Sequence, residues 1–279
     1  MSISSIDDFR SVLSDNFGKV VECLFPMAVA GVSRSGREED YLENLRKAVM
    51  SSKSKAGALT KNLVGRVGCC SFKIDGVKTH KRIWVDFSGA TRPCEIGDVM
   101  IVSKFVDSLG VFSRHVSLLQ VKVDEKHKRQ TWHIESTQLR LYKNWPFVNC
   151  CYTRSGGQKY TLLQNFKINY RDRLLSPYLL VMREWAFSFV TGTDLISSAC
   201  RKAKTIHGPL ELPFLSLLVQ LLFQTAGEQD ISANRSVNNT LTTLVDKILQ
   251  HVKLNDPIEG EGKPFVVIKL TVKGEFERS

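Results

Sequence analysis

Several features are missing from this sequence, and each absence narrows what the chain can do. It has no apolar run long enough to cross a bilayer. The stretch from Val20 to Val32 is interrupted by Glu22 and Pro26, and the run from Phe214 to Phe223 is about half the length of a membrane helix. A CxxC pair is absent among the seven cysteines, Cys23, Cys69, Cys70, Cys94, Cys150, Cys151 and Cys200. An odd set with two vicinal pairs fits neither a disulfide framework nor a zinc ribbon, so reduced and mostly buried thiols in a cytoplasmic protein are expected. The histidines stand singly, which leaves no ready His-based metal cluster. No phosphate-binding P-loop, dinucleotide fingerprint or internal repeat occurs. The opening Met1-Ser2-Ile3-Ser4-Ser5-Ile6-Asp7-Asp8 is acidic where a signal peptide is basic, so export is not expected.

Negative charge is also short. Lys and Arg number 39 against 28 Asp and Glu, a net charge of +11 over 279 residues. A polyanionic partner is therefore favoured. Nucleic acid fits better than an anionic membrane surface, because no strongly basic amphipathic helix stands out. The length suffices for one sizeable core.

Periodicity predicts a helix over residues 6–24, with Gly18 as a break and Pro26 as its end. A second helix is predicted over 37–50, with Tyr41, Leu42, Leu45, Ala48 and Val49 inward. Residues 51–61, rich in Ser, Lys, Gly and Ala, read as a surface loop whose Lys53, Lys55 and Lys61 could contact phosphates. Strands are expected over 68–74 and 82–87, turning at Asp75-Gly76, with Lys81 and Arg82 beside the turn. Towards the C-terminus, a hairpin is expected near 150–166, strands near 177–182 and 185–190, and helices over 194–203 and 212–224. A further helix carries Val237, Leu241, Leu244, Val245, Ile248, Leu249 and Val252 on one face, capped by Asn234 or Ser236, and residues 265–272 form a last strand.

The most informative stretch lies between these parts. Glu95-Ile96-Gly97-Asp98-Val99-Met100-Ile101-Val102 and Ser117-Leu118-Leu119-Gln120-Val121-Lys122-Val123 read as buried strands, each carrying polar residues on an apolar run. The interval between them can extend the pair as a hairpin, with Lys104 and Arg114 at its tip and open to nucleic acid. Gln120 and Lys122 alternate onto one face. A buried lysine near a carboxylate is costly unless it is paired or has a task. The Asp98 carboxylate, the Gln120 amide oxygen and the Val121 carbonyl are oxygen donors of the kind a hard cation selects, Mg²⁺ or Mn²⁺. Lys122 would then stand near a metal-bound water and offset charge on an attacked phosphate. Residues 137–145 form a short helix ended by Pro146, with Gln138 and Tyr142 on one face where it would meet that phosphate.

Asp98 followed by Gln120-Val121-Lys122 resembles the PD-(D/E)xK phosphodiesterase superfamily in its Q-x-K variant. Over residues 95–147, acid-x-x-Asp, Leu-Leu-Gln-x-Lys and Gln138-Leu139-Arg140-Leu141-Tyr142-Lys143-Asn144-Trp145-Pro146 are similar to bacterial anti-phage defence nucleases. The resemblance implies an α/β (α+β mixed) fold, with a central mixed sheet flanked by helices. This restriction-endonuclease-like core would span about 37–192 of a single domain 1–279, with an N-terminal helical elaboration and a C-terminal extension over 193–279. It implies catalytic Asp98, Gln120 and Lys122, with Glu95 as a further ligand and Glu39 or Glu43 as an acid donated by the early helix. The implied function is Mg²⁺-dependent DNA hydrolysis in defence, with RNA as an open alternative. An activating protein partner or a homo-oligomer would restrain a nuclease lacking sequence preference. The alternative function is an inactive nucleic-acid-binding or scaffold protein on the same fold, since an amide binds Mg²⁺ less well than a carboxylate.

Overall fold

A computed structural model describes residues 5–59, 63–65, 68–79, 83–126, 130–153, 159–169, 172–183, 185, 187–199, 205–207, 210–232, 239–253 and 265–275. Three helices come first, α1 (Ile6–Asp15), α2 (Phe17–Ala28) and α3 (Glu38–Leu59). Ser5 and Asp8 close a reciprocal capping box at the start of α1. The break before α2 falls at Asn16 rather than Gly18, and Pro26 lies inside α2.

The strands β1 (Leu63–Gly65), β2 (Gly68–Thr79), β3 (Ile83–Phe87), β4 (Cys94–Glu95), β5 (Val99–Asp107), β6 (Gly110–Val123) and β7 (Thr131–His133) follow. Next come α4 (Ser136–Asn144), β8 (Val148–Thr153), β9 (Lys159–Phe166), β10 (Tyr178–Val181), β11 (Ser188–Thr191) and α5 (Thr193–Ala199). The chain continues through β12 (Thr205–His207), β13 (Leu212–Pro213), α6 (Phe214–Leu222), β14 (Glu228–Ser232), α7 (Asn239–Lys253) and β15 (Phe265–Glu275).

The architecture is mixed α/β, as expected. The main sheet runs β1-β2-β15-β5-β6-β10-β11-β13, with β14 on the early part of β6. Most neighbours are antiparallel, but β15 lies parallel to β5 and β10 parallel to β6. A second antiparallel sheet runs β4-β3-β8-β9, and β7 pairs with β12. Strand alternation divides the core between the two faces of the main sheet. Val99, Ile101, Leu119 and Val121 face the side packed by α1, α2, α3 and α6, whereas Met100, Val102, Val116 and Leu118 face α4, α7 and the second sheet.

The structure departs from further expectations. Asp75-Gly76 is no turn: β2 runs straight through it and pairs along its length with β15. Residues 51–59 are no loop but the last turns of α3, with Ser52 and Ala56 buried. The central sheet is not drawn from residues 37–192 alone, because β15 of the C-terminal extension sits between β2 and β5 in its middle. Leu212–Pro213 is a short strand leading into α6 rather than the start of that helix. The expected caps Asn234 and Ser236, with Val237, lie outside the described residues. Among the described residues no helix is long and apolar enough to cross a membrane. Cys23, Cys70, Cys94 and Cys150 are free and buried, and Cys151 is free and half-buried. Burial pushes the Cys94 thiol up to about 12, so it packs as an inert apolar side chain.

Candidate active site

The pairing register explains why the polar residues gather. Strand β5 begins at Val99, opposite Leu119, so β6 runs on past the start of its neighbour. Beyond that point Gln120, Val121, Lys122 and Val123 are paired on one flank only, by Tyr178 to Val181 of β10. Asp98 turns into the open flank. Its carboxylate accepts the Val121 N–H at 2.8 Å and the side-chain amide of Gln120. The backbone of Asp98 is fixed on both sides, by its N–H to the Leu119 carbonyl at 2.9 Å and by the Val266 N–H to its own carbonyl at 2.9 Å. A carboxylate thus occupies the place where a strand would have supplied a carbonyl.

Helix α4 sits over this notch. Gln138 donates to the Gln120 amide oxygen and, at 3.1 Å, to the Glu95 carbonyl. The Tyr142 hydroxyl donates to the Ile96 carbonyl at 2.8 Å. Burial first, then the nearby Tyr178 hydroxyl and Asp98 carboxylate, push its ionisation well up, so it remains a donor. Gln138 and Tyr142 are both buried, and they hold residues 95–98 rather than facing a phosphate. Gly97 passes between Leu119 and Tyr142, where an added Cβ would meet the Leu119 carbonyl oxygen and the Tyr142 hydroxyl at 3.1 Å each.

Lys122, two residues beyond Gln120 on the same strand, is buried, and its Nζ lies 3.3 Å from the Glu38 carboxylate. The acid of the early helix that reaches one of the expected catalytic residues is therefore Glu38, at Lys122. Glu39 is exposed, and Glu43 is bound to Arg46 at 2.7 Å and Lys78 at 2.7 Å. Sequence periodicity held the signal: Glu38 shares a helix face with Tyr41, Leu42, Leu45 and Val49, all buried, whereas Glu39 and Glu43 fall on another. Glu95 stands on β4 opposite Trp84, and its backbone carbonyl is what joins the network.

Among the described residues no three His, Cys, Asp or Glu side chains gather as a cation cluster. The oxygen donors at the notch are the Asp98 carboxylate, the Val121 carbonyl and the Gln120 amide, and the Glu38 carboxylate stands at Lys122, two residues further along the strand; the chemistry of these donors fits Mg²⁺ or Mn²⁺. The Gln120 amide turns its nitrogen to Asp98 and its oxygen to Gln138, the reverse of the orientation expected of a ligand. Ligation through that oxygen requires the amide to turn over.

The expected nucleic-acid contacts divide. Lys61, Lys81 and Arg82 lie outside the described residues. Lys55 is exposed on α3, and Lys53 is tied to Asp75 at 3.0 Å. Lys104 is half-buried, and its ammonium is pushed down by burial and then by neighbouring Arg114. Arg114 is not at a hairpin tip open to solvent. It is buried under α7 and paired with Asp230 and Asp246, each at 2.6 Å. No protein-family model, curated protein or solved structure matches this chain.

Proposed function

We propose that this chain is a metal-dependent nuclease that hydrolyses DNA phosphodiester bonds in a bacterial anti-phage defence system, under the control of a partner or of self-assembly. The observation that carries the reading is the contact of Asp98 with Gln120 and, two residues further along the same strand, the pairing of Lys122 with Glu38, an acid from a distant helix. Asp98, Glu38 and the Val121 carbonyl would hold Mg²⁺ or Mn²⁺, with Gln120 joining once its amide turns. Such an ion polarises a phosphoryl oxygen and lowers the pKa of a bound water. Lys122 offsets the negative charge that grows on an attacked phosphate, and its ion pair with Glu38 keeps it aimed at the notch. Gln120 and the Val121 N–H hold Asp98 in one orientation. The net charge of +11 supports a polyanionic substrate, and the defence role rests on the motif resemblance.

One observation favours a second reading, an inert nucleic-acid-binding or scaffold protein. Asp98 already serves as the partner of Val121 and Gln120, a sufficient structural task. The two readings separate on supercoiled plasmid incubated with Mg²⁺ or Mn²⁺, using the parent beside folded Asp98→Ala and Lys122→Ala variants. Nicking by the parent alone supports the nuclease. DNA binding that is independent of metal, with no cleavage by any of them, supports the scaffold.

A further inference from the structure

Glu38 belongs to a helix on one face of the sheet, whereas Gln120 and Lys122 project from the other face. Something must hold the start of α3 around the end of β6 for the pair with Lys122 to form. The parallel strands β6 and β10 end together, Val123 opposite Val181. Just beyond them stand Asp124 and Arg183, with side chains 3 % and 17 % exposed. The Asp124 N–H donates to the Val181 carbonyl at 3.0 Å. Its carboxylate accepts the backbone N–H of Arg183 at 2.9 Å and of Gln130 at 3.2 Å. That arrangement ties the guanidinium to one place.

From there, Arg183 Nε donates to the Asp124 carbonyl at 2.8 Å, and Nη1 donates to the Gly36 carbonyl. One planar side chain thus spans the end of β6 and the approach to α3. Gly36 stands two residues before Glu38, and Asp124 two residues after Lys122. The Arg183 bridge and the Lys122–Glu38 pair are consecutive rungs between the same two segments. The turn at Gly36 is tight, its N–H bonded to the Ser33 carbonyl at 3.0 Å. An added Cβ there would meet the Val32 side chain and the Ser33 oxygens.

We infer that Arg183 is a positioning residue, acting through Glu38: its guanidinium clasps the start of α3 to the end of β6 and so keeps Glu38 at Lys122 and the Asp98 notch. The inference rests on the metal-centre reading of that notch for its effect on metal, but not for its effect on the helix. Residues supporting a metal ligand typically change metal affinity about 10–100-fold when removed.

The test measures backbone hydrogen exchange over residues 31–41 and Mn²⁺ affinity by calorimetry, for the full chain and its Arg183→Gln, Arg183→Lys, Glu38→Gln and doubly substituted Arg183→Gln/Glu38→Gln forms. In Arg183→Gln, exchange should rise over 31–41 while α1 and α2 stay protected, and Mn²⁺ should bind about 10–100-fold more weakly. Arg183→Lys should recover part of both, since charge returns without the planar fork. In the Glu38→Gln background, Arg183→Gln should cost no further affinity. Unchanged protection over 31–41, or an equal loss of affinity in both backgrounds, overturns the inference. Raised exchange in Arg183→Gln, together with a parent that binds no Mn²⁺, leaves the clasp standing and overturns the metal-centre reading instead.

Discussion

Lys122 Nζ lies 3.3 Å from Glu38 Oε1, across 84 residues of sequence. The ammonium is largely withdrawn from water, with a side chain 10 % exposed, and this carboxylate stands against it. Removing one partner of a buried pair leaves the other charge uncompensated. Glu38→Gln should therefore destabilise the fold by about 1–3 kcal/mol in urea melts. Lys122→Met, which removes the buried charge itself, should cost less. Equal stability of Glu38→Gln and the parent would contradict the pairing.

Gln120→Glu should make stability depend on metal. A second carboxylate against Asp98 in a buried notch repels it, so one of the two must take up a proton or the fold loses stability. Without metal, the variant should melt below the parent at neutral pH, and the gap should narrow as pH falls and the pair takes up a proton. Added Mn²⁺ should restore it by more than it raises the parent. A melting temperature insensitive to Mn²⁺ in both proteins counts against an ion at the notch.

Glu43 offers a pH test away from the site. Its hydrogen bonds to Arg46, then to Lys78, hold its carboxyl at about 2 against an ordinary 4.5. A depressed carboxylate contributes stability that is present above the unfolded value and is lost as pH falls through the folded one, here between about 4.5 and 2. Because Arg46 is 40 % exposed, solvent screening reduces the effect to about 1 kcal/mol. Glu43→Gln should lose that amount at pH 7 and differ little from the parent near pH 2.

Arg114 is a structural residue. Replacing it with Met leaves the buried Asp230 unpaired and should destabilise the fold by about 3–5 kcal/mol. The salt dependence of DNA binding by the surviving folded protein should stay unchanged, whereas a phosphate contact would shift its slope by about one.

The strand pair and α4 were legible because polar residues on apolar strands are conspicuous and because Pro146 marks the end of a short helix. Trp145 ends α4 in a left-handed conformation just before it. The turn expected at Asp75-Gly76 fails for a packing reason: Val49 of α3 lies where a Cβ on Gly76 would stand, so this glycine admits a helix rather than a bend. The loop expected after residue 50 fails because Ser52 and Ala56 continue the buried face of α3. Glu38 was hidden among four nearby acids, Glu38, Glu39, Asp40 and Glu43, and only the helical face separates them. Arg183 had no local signal, since its partners Asp124 and Gly36 are 59 and 147 residues away.

Binding of Mn²⁺ to the purified chain, followed by calorimetry beside Asp98→Asn and Glu38→Gln, separates a metal centre from a purely structural Asp98. A metal centre held by Asp98 and Glu38 gives a saturable site in the parent that weakens at least about 10-fold in each variant, as expected when a charged oxygen ligand is removed. No binding, or binding of equal strength in all three, would contradict it.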